Sequence, residues 1–163
     1  MPAPAVAILN PRAAGGKTAR WWPRSASVIA GRLGGLETLR TERPGHATEL
    51  ARLALESGGE TVIAVGGDGT VNEVVNGILT SKCHPLPRLG IIPAGSSNDF
   101  ARSLGIAQNL QRACQAIVHG KARDVDVGQA GPHYFCMASC VGLFADIAAT
   151  SMDMKGLHGS LRY

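Results

Sequence analysis

The sequence predicts an α/β protein with a doubly wound, mostly parallel sheet flanked by helices, and three observations lead to this prediction. Short apolar runs alternate with longer segments whose apolar residues recur every three or four positions, as in strand–helix–strand units. Glycine-rich turns separate these segments, with 21 glycines among the 163 residues. The polar, glycine-rich stretches follow predicted strands, and sheets of this kind bind their ligands at the carboxyl ends of the strands.

Five strands are predicted from short runs of β-branched or apolar residues that are bounded by turn residues. They cover residues 5–9, 36–41, 61–65, 88–92 and 123–127. The first and the third are apolar throughout, as in a strand that is buried on both faces of a parallel sheet. The last one alternates between polar and apolar residues.

The helices between these strands are predicted from apolar residues that share one helical face. The first covers residues 18–33, with Pro23 in its first turn or at a bend, and the second covers residues 46–57. The last helix ends at His119. The helix after Thr70 has the clearest apolar stripe, formed by Val71, Val74, Val75, Ile78 and Leu79.

Residues 66–70, with the sequence Gly-Gly-Asp-Gly-Thr, join the third strand to this helix. Their three glycines let backbone N–H groups approach a ligand closely, beside the positive end of the helix dipole, so the turn is suited to phosphate oxygens. Thr70 and Glu73 have the spacing of a capping box, which predicts that Thr70 caps the helix. The alternative is a plain glycine-rich turn, which would not require Asp68.

Two further polar loops follow the first and the fourth strands, and Thr41 ends the second strand. Because the carboxyl ends of parallel strands meet at one edge of a sheet, we expect these loops to lie near residues 66–70. The alternatives are an ordinary strand end at Thr41 and a simple helix N-cap at Ser97 or Asn98. The polar residues of the two loops are Asn10, Arg12 and Lys17 in one and Ser96, Ser97, Asn98 and Asp99 in the other.

The net charge of +4 is modest, but positive residues concentrate near the N-terminus. Such a concentration favours a polyphosphate ligand or an anionic membrane surface, and a solvated basic helix face explains it equally well. The pattern is not that of a basic stripe interleaved with stacking aromatic residues, so nucleic acid is not expected as a partner. The residues concerned are Arg12, Lys17, Arg20, Arg24 and Arg32.

The four cysteines, Cys83, Cys114, Cys136 and Cys140, lack C-x-x-C spacing, which argues for reduced thiols and against a cysteine metal site. No apolar run reaches the roughly 20 residues that span a bilayer. The N-terminus lacks the basic region of a secretory signal. We therefore expect a cytoplasmic protein, whose contact with the inner membrane surface would be peripheral.

Residues 66–70 closely resemble the GGDGT motif of the diacylglycerol kinase and sphingosine kinase superfamily. Residues 72–77, Asn-Glu-Val-Val-Asn-Gly, extend the likeness to the lipid-kinase form of that motif. The loops at 10–17 and 93–102 are similar to two further motifs of the family, with Ser96 where Thr is usual. The resemblance implies a fold shared with NAD kinases and phosphofructokinases. It also implies ATP-dependent transfer of the γ-phosphate to the hydroxyl of diacylglycerol, a sphingoid base or a related lipid.

With this resemblance, ATP and Mg²⁺ are the expected cofactors. Asp68 would hold the magnesium ion, directly or through water, and would be the catalytic residue of this part of the enzyme. The phosphates would lie against Gly66, Gly67, Gly69 and Thr70. The other residues expected at the nucleotide are Asn10, Arg12, Lys17, Thr41, Asn72, Ser96, Asn98 and Asp99.

The resemblance divides the chain into a nucleotide-binding α/β domain at residues 1–127 and the incomplete start of a β-rich second domain at residues 128–163. Met137 stands where the family usually has Asn, and Phe144 where an Asp is expected. The family's general base and structural magnesium ligands belong to the second domain, at positions that this sequence does not reach.

Two alternatives to a lipid kinase remain. The first is a nucleotide-binding module without catalysis of its own, or a fragment that is inactive without the second domain. The second is an NAD kinase, to which the sequence around Asn98 and Asp99 is less similar. An unfinished β domain would also expose an apolar edge at residues 135–141, which predicts a homodimer or aggregation.

Overall fold

The computed structural model describes residues 5–138, and its centre is a four-stranded parallel sheet. The strands are β1 (Ala5–Leu9), β2 (Leu36–Arg40), β3 (Thr61–Gly66) and β4 (Arg88–Pro93). Their order across the sheet is β2-β1-β3-β4, and each neighbouring pair is parallel. The predicted fold class, a parallel sheet flanked by helices, is confirmed.

The connections between the strands are mostly helical. Pro23 lies in the second turn of the first helix rather than in its first turn, and that helix ends at Gly34, whose φ is 78°. Within residues 5–138, no helix is long and apolar enough to cross a bilayer. The bounds are a 3-10 turn at Ala13–Gly16, α1 at Thr18–Leu33, α2 at His46–Glu56, α3 at Asp68–Thr80, α4 at Asp99–Ser103 and α5 at Leu110–His119.

The sheet is buried on both faces, which explains why its central strands are apolar without interruption. Successive side chains of a strand point to opposite faces. Leu9 and Ile63 pack against α1 and α5, whereas Ile8 and Val62 pack against α2 and α3. We call these two sides of the sheet the α1–α5 layer and the α2–α3 layer.

The α1–α5 layer is fastened to the edge strand β2 by Trp22. This side chain is 2% exposed, and its indole Nε1 donates a hydrogen bond of 3.1 Å to the Thr38 hydroxyl. A buried indole N–H needs such a partner, because leaving it unpaired costs about 1–3 kcal/mol. The bond thus ties α1 to β2.

The prediction of a strand at residues 123–127 is wrong. Residues 121–127 have no regular secondary structure, and residues 121–126 are exposed. The sheets formed by the described residues offer this segment no neighbouring strand with which to bond. The alternation of Arg123, Asp124, Val125 and Asp126 therefore belongs to a solvated connection, since a strand needs a partner as well as a pattern.

An antiparallel pair follows this segment, formed by β5 (Gly128–Ala130) and β6 (His133–Phe135). It contains the beginning of the strand-like run that the sequence predicts from His133 onward. The rest of that run, with Cys140, lies outside the described residues, as does Phe144. The division into two domains at residue 127 stays a prediction.

Candidate functional site

The turn between β3 and α3 is in backbone contact with the loop after β4. Gly67 is extended, with φ −91° and ψ −173°, and precedes Asp68, the first residue of α3. A Cβ on Gly67 would stand 2.9 Å from the Gly95 Cα, and a Cβ on Gly95 would stand 2.6 Å from the Gly67 Cα. Both positions therefore require glycine, because any side chain would force the two loops apart.

The predicted capping box at Thr70 and Glu73 is wrong. The helix begins before Thr70, and Thr70 is buried inside its first turn, where its Oγ1 accepts a hydrogen bond of 3.0 Å from Asn10 Nδ2. Glu73 reaches a different helix, since its Oε2 accepts from the backbone N–H of Ala47 at 3.1 Å. Tertiary partners have replaced the local pair that the spacing suggests.

The first turn of α3 keeps its backbone donors available. No side chain of the described residues caps this helix N-terminus, and the N–H groups of a first helical turn have no partner within the helix. Gly69 lies on this turn, and a Cβ built there would meet nothing within 4 Å. The open space beside unpaired N–H groups at a helix N-terminus suits an anionic ligand.

Asp68 connects the start of α3 to the start of α4. Its Oδ1 accepts a hydrogen bond of 3.0 Å from the backbone N–H of Phe100, in the first turn of α4. Asn98, the residue before α4, makes no capping bond with its own side chain. The simple N-cap at Ser97 or Asn98 is thus replaced by a carboxylate from the start of α3, since Asp68 supplies the acceptor that α4 needs.

Asn98 instead holds the loop after β4 in shape. It is 7% exposed and has left-handed backbone angles, φ 51° and ψ 44°. Its Oδ1 accepts from the Gly95 N–H at 2.7 Å, and its Nδ2 donates to the Gly95 carbonyl at 2.9 Å and to Gln108 Oε1 at 2.9 Å. These bonds occupy the Asn98 amide, so this side chain shapes the Gly95 turn from within.

A cleft of about 380 Å³ lies at the carboxyl edge of the sheet, where β1, β2, β3 and β4 end. Six of the residues that the sequence assigns to the site lie on the wall of this cleft. They come from three separate segments, which follow β1, β2 and β3. They are Asn10, Arg12, Thr41, Gly67, Gly69 and Thr70. Their roles at a nucleotide stay predictions.

The remaining predicted residues do not line this cleft. Gly66 is buried at the end of β3, and Asp68 and Asn98 make the contacts described above. Lys17, Ser96 and Asp99 are exposed. Asn72 lines a second cleft.

Six further residues on the wall of the first cleft were not predicted from the sequence as site residues. They are Ala13, Glu42, Arg43, Pro44, Glu73 and Gly95. Glu42, Arg43 and Pro44 directly follow Thr41, so the rule that ligands bind beyond the carboxyl ends of strands would have found them. Glu73 was not predicted as a site residue because its spacing from Thr70 suggested a local cap.

Arg43 is held on the cleft wall by an ion pair with Glu49 of α2. Its Nη2 lies 2.8 Å from Oε1 and 2.6 Å from Oε2 of the carboxylate. The hydrogen bond and the opposite charge raise the pKa of Arg43 and lower the pKa of Glu49. Both groups are solvent-exposed, so the pair contributes little to stability and mainly orients the guanidinium.

The second cleft, of about 510 Å³, lies between the α2–α3 layer and the β5–β6 pair. Its wall includes Asn72, Asn76, His133 and Tyr134, and it shares Glu73 with the first cleft. Cys136 follows β6, where burial, together with the charge of Asp68, raises the pKa of its thiol to about 11. Cys136 is therefore an uncharged thiol at neutral pH.

A family described as "Diacylglycerol kinase catalytic domain" matches residues 4–130 of this chain. Among curated proteins, a diacylglycerol kinase of Staphylococcus epidermidis is 39% identical over 124 residues, which are 76% of this chain and 39% of the relative. A diacylglycerol kinase of Bacillus subtilis is 38% identical over 128 residues, 77% of this chain and 42% of the relative.

The solved structures give the same likeness. A crystal structure of a diacylglycerol kinase from Bacillus anthracis str. Sterne is similar to this chain with a TM-score of 0.72 and 34% identity. The similarity covers 80% of this chain and 45% of that one. The chain thus spans about two fifths of the length of the curated relatives that it matches.

Proposed function

Because this chain belongs to the diacylglycerol kinase catalytic domain family, we propose that it forms the nucleotide-binding part of an ATP-dependent lipid kinase. The reaction would transfer the γ-phosphate of ATP to a lipid hydroxyl, with diacylglycerol as the expected acceptor and a sphingoid base as the alternative. The observation that carries this proposal is the cleft at the carboxyl edge of the sheet, where the open first turn of α3 meets the loops after β1 and β2.

The cleft provides what the phosphates of a nucleotide require. Gly67 and Gly69 leave the backbone bare, and the N-terminal end of α3 presents N–H donors and the positive end of its dipole. Arg12 lies on the wall with its side chain exposed, and Arg43 adds a second guanidinium. Thr41 and Asn10 offer hydrogen-bonding groups for the rest of the nucleotide.

The residues fit a magnesium ion that is shared with the nucleotide. Within residues 5–138 no group of three or more His, Cys, Asp or Glu side chains converges, so a cage made by the protein alone is not formed there. Magnesium at kinase sites is held by one or two carboxylates together with phosphate oxygens. Asp68 would supply this carboxylate from the first turn of α3, next to Gly67 and Gly69 of the cleft wall. A bound ion would supply positive charge that offsets part of the charge of the phosphates.

In the proposed reaction the lipid hydroxyl oxygen forms a bond to the γ-phosphorus and gives up its proton to a general base, which the family resemblance assigns to the second domain. The bond from the γ-phosphorus to the bridging oxygen breaks, and ADP leaves with the bonding electron pair. The residues of this chain would position the phosphates and compensate their charge, which is the main requirement of phosphoryl transfer. The protein would work in the cytoplasm with peripheral contact to the inner membrane surface, and it would form a homodimer. A nucleotide-binding module without catalysis is the second candidate, because the chain spans about two fifths of its relatives.

The test is calorimetric titration with ATP, with and without Mg²⁺, on the chain and on Asp68→Asn. The Asn side chain keeps an oxygen that can accept from Phe100, so the variant removes the charge and preserves the contact to α4. We expect ATP to bind the unmodified chain more tightly with Mg²⁺, and this dependence to vanish in the variant. Equal Mg²⁺ dependence in both would contradict the role of Asp68, and a folded chain that binds no ATP would contradict the nucleotide site.

Transfer itself is tested with radiolabelled ATP and diacylglycerol in detergent micelles, on a protein that also contains the family's second domain, to which the general base is assigned. Label in the lipid product, abolished by Asp68→Ala, is the expected result for a lipid kinase. ATP binding without transfer to diacylglycerol or a sphingoid base would favour the non-catalytic module.

A further inference from the structure

Glu42 is an exposed carboxylate on the wall of the first cleft, just beyond the end of β2. Within residues 5–138, its side chain takes part in neither of the two ion pairs and in no hydrogen bond. The other glutamate of this wall, Glu73, is occupied by the backbone N–H of Ala47. Glu42 therefore keeps its oxygens available to accept hydrogen bonds from a ligand.

The segment that carries Glu42 is held in place by its backbone, although it lies at the surface. The Thr41 N–H donates to the Leu9 carbonyl at 2.9 Å, which keeps the end of β2 beside the end of β1. The Glu42 N–H donates to Nδ1 of His46 at 3.1 Å, and the His46 N–H donates to the Arg43 carbonyl at 3.2 Å. These bonds close the turn between β2 and α2, so the backbone of Glu42 is in position on the cleft wall before a ligand binds.

The strand order indicates which part of a nucleotide would reach Glu42. The proposed phosphate site is the N-terminus of α3, which follows β3, and β1 separates β3 from β2 in the sheet. Neighbouring strands lie about 4.8 Å apart, so the ends of β3 and β2 are roughly 10 Å apart. A nucleotide whose β- and γ-phosphates lie at α3 would cross the end of β1 before it reaches β2. Its sugar and base, and not its phosphates, would then lie beside Glu42.

We propose that the Glu42 carboxylate accepts hydrogen bonds from the 2′- and 3′-hydroxyls of the ribose and so makes the cleft selective for ribonucleotides. An ionised carboxylate repels phosphate groups but is a strong acceptor for hydroxyl groups. In dinucleotide-binding α/β folds, an acidic side chain hydrogen-bonds the ribose in the same way. The inference rests on the proposed function, because it concerns the nucleotide of the same cleft, and it adds a residue that determines specificity there.

The exocyclic amine of adenine is the other donor of the nucleotide that could meet this carboxylate. The ribose fits better, because it directly follows the phosphates along the nucleotide and therefore reaches the end of β2 first. Its two adjacent hydroxyls also match the two oxygens of one carboxylate. The amine is therefore the competing partner that the experiment has to separate from the ribose.

The experiment is calorimetric titration of the chain with ATP and with 2′,3′-dideoxy-ATP, both in the presence of Mg²⁺. The two ligands have the same base, phosphates and charge, so the ratio of their dissociation constants isolates the contact to the hydroxyls. We expect ATP to bind the unmodified chain at least about ten-fold more tightly, which is the effect of one hydrogen bond to a charged group. Glu42→Ala should reduce this ratio to less than about two-fold. Glu42→Gln keeps an uncharged acceptor and should give an intermediate ratio.

The matched control is Glu37→Ala, at an exposed glutamate near the other end of β2. About 16 Å of strand separates this position from Glu42. The control removes the same charge from the same strand, so it should keep the ratio of the unmodified chain within about two-fold. Both glutamates are exposed, so both variants should fold as the unmodified chain does.

Three results would overturn the proposal. The first is equal affinity of the unmodified chain for ATP and for 2′,3′-dideoxy-ATP. The second is a preference for ATP that Glu42→Ala leaves intact, or that Glu37→Ala lowers as much. The third is a Glu42→Ala variant that loses a preference for ATP over inosine triphosphate instead, which would place the base at Glu42. ATP still binds in all three cases, whereas a folded chain that binds no ATP would contradict the proposed nucleotide site as well.

Discussion

The side chain of Asn76 bonds both backbone polar groups of Tyr134. Its Oδ1 accepts from the Tyr134 N–H at 2.9 Å, and its Nδ2 donates to the Tyr134 carbonyl at 2.8 Å and to the Asn72 carbonyl at 2.8 Å. The amide thus pairs with β6 as a neighbouring strand would. Helix α3, which begins at the cleft, is thereby joined to the β5–β6 pair.

The same helix bonds three other segments through side chains at intervals of two or three residues. Asp68 accepts from Phe100 in α4, Thr70 accepts from Asn10 after β1, and Glu73 accepts from Ala47 at the start of α2. The partner of each bond lies either in a loop that borders a cleft or in the helix that follows such a loop. The relative positions of the loops therefore depend on α3.

Replacing Asn76 by alanine should separate β6 from α3. Loss of the amide leaves two partly buried backbone groups of Tyr134 unpaired, so we expect the free energy of unfolding to fall by about 1–3 kcal/mol. Urea denaturation measures this change. Gln115→Ala, at an exposed position of α5, should change stability by less than about 0.5 kcal/mol. Equal stability of the two variants would mean that Asn76 does not hold the strand.

The bond between Thr70 and Asn10 is tested by a pair of substitutions. Thr70→Val keeps the shape of a buried side chain but leaves the Asn10 amide without its acceptor, so stability should fall by about 1–3 kcal/mol. ATP affinity should fall as well, because Asn10 lies on the cleft wall. Thr70→Ser restores the acceptor and should recover most of the affinity. A Val variant that binds ATP as the unmodified chain does would contradict a positioning role.

Substitutions at two glycines of the cleft should have different effects, one on the stability of the fold and the other on ATP binding. Gly95→Ala places a Cβ 2.6 Å from the Gly67 Cα, so it should destabilise the fold by about 1–3 kcal/mol. Gly69→Ala places a Cβ in open space beside the cleft, so it should keep the melting temperature and weaken ATP binding. Gly31→Ala, at an exposed and uncrowded position of α1, should be neutral or should stabilise the fold by about 0.5–1 kcal/mol.

Thermal unfolding and calorimetry with ATP measure both effects on the same samples. An ATP affinity that is unaffected by Gly69→Ala would place the phosphates elsewhere. A Gly95→Ala variant as stable as the unmodified chain would mean that the loops after β3 and β4 tolerate separation.

Much of the fold could be predicted because its elements depend on local pattern. Strands β1 and β3 are apolar throughout since both faces of the sheet are covered, and the stripe of α3 buries Val71, Val74 and Ile78. The lipid-kinase family that residues 66–70 suggested is confirmed by the match to residues 4–130. Residues 123–126, in contrast, alternate between polar and apolar side chains, but this pattern does not reveal whether a partner strand is present.

The contacts that shape the site could not be predicted from spacing. Thr70 and Glu73 have the sequence distance of a capping box, yet their partners are Asn10 and Ala47, which lie 60 and 26 residues away. Asp68 similarly finds Phe100 across 32 residues. A polar side chain takes the best partner that the fold offers, and that choice depends on which loops meet at the sheet edge.

The thiol of Cys136 should resist alkylation in the folded chain. Burial, with the nearby carboxylate of Asp68, raises its pKa to about 11, so at pH 8 its thiolate fraction is roughly 200-fold below that of an unfolded cysteine. Iodoacetamide labelling followed by mass spectrometry of the Cys136 peptide measures the rate, with the urea-unfolded chain as control. The rate should rise about ten-fold per pH unit until pH approaches 11.

The effect of Asp68 on this thiol has a definite sign. Asp68→Asn removes a negative charge that opposes ionisation, so it should lower the pKa of Cys136 and speed its alkylation at pH 8. Because the folded pKa lies above the unfolded value of about 8.5, the thiol stabilises the folded state below that pH. This contribution is lost as the pH rises toward 11, since the unfolded chain ionises first. A labelling rate that levels off below pH 9 would contradict the burial of the Cys136 thiol. A rate that Asp68→Asn leaves unchanged would contradict the effect of the Asp68 charge on that thiol.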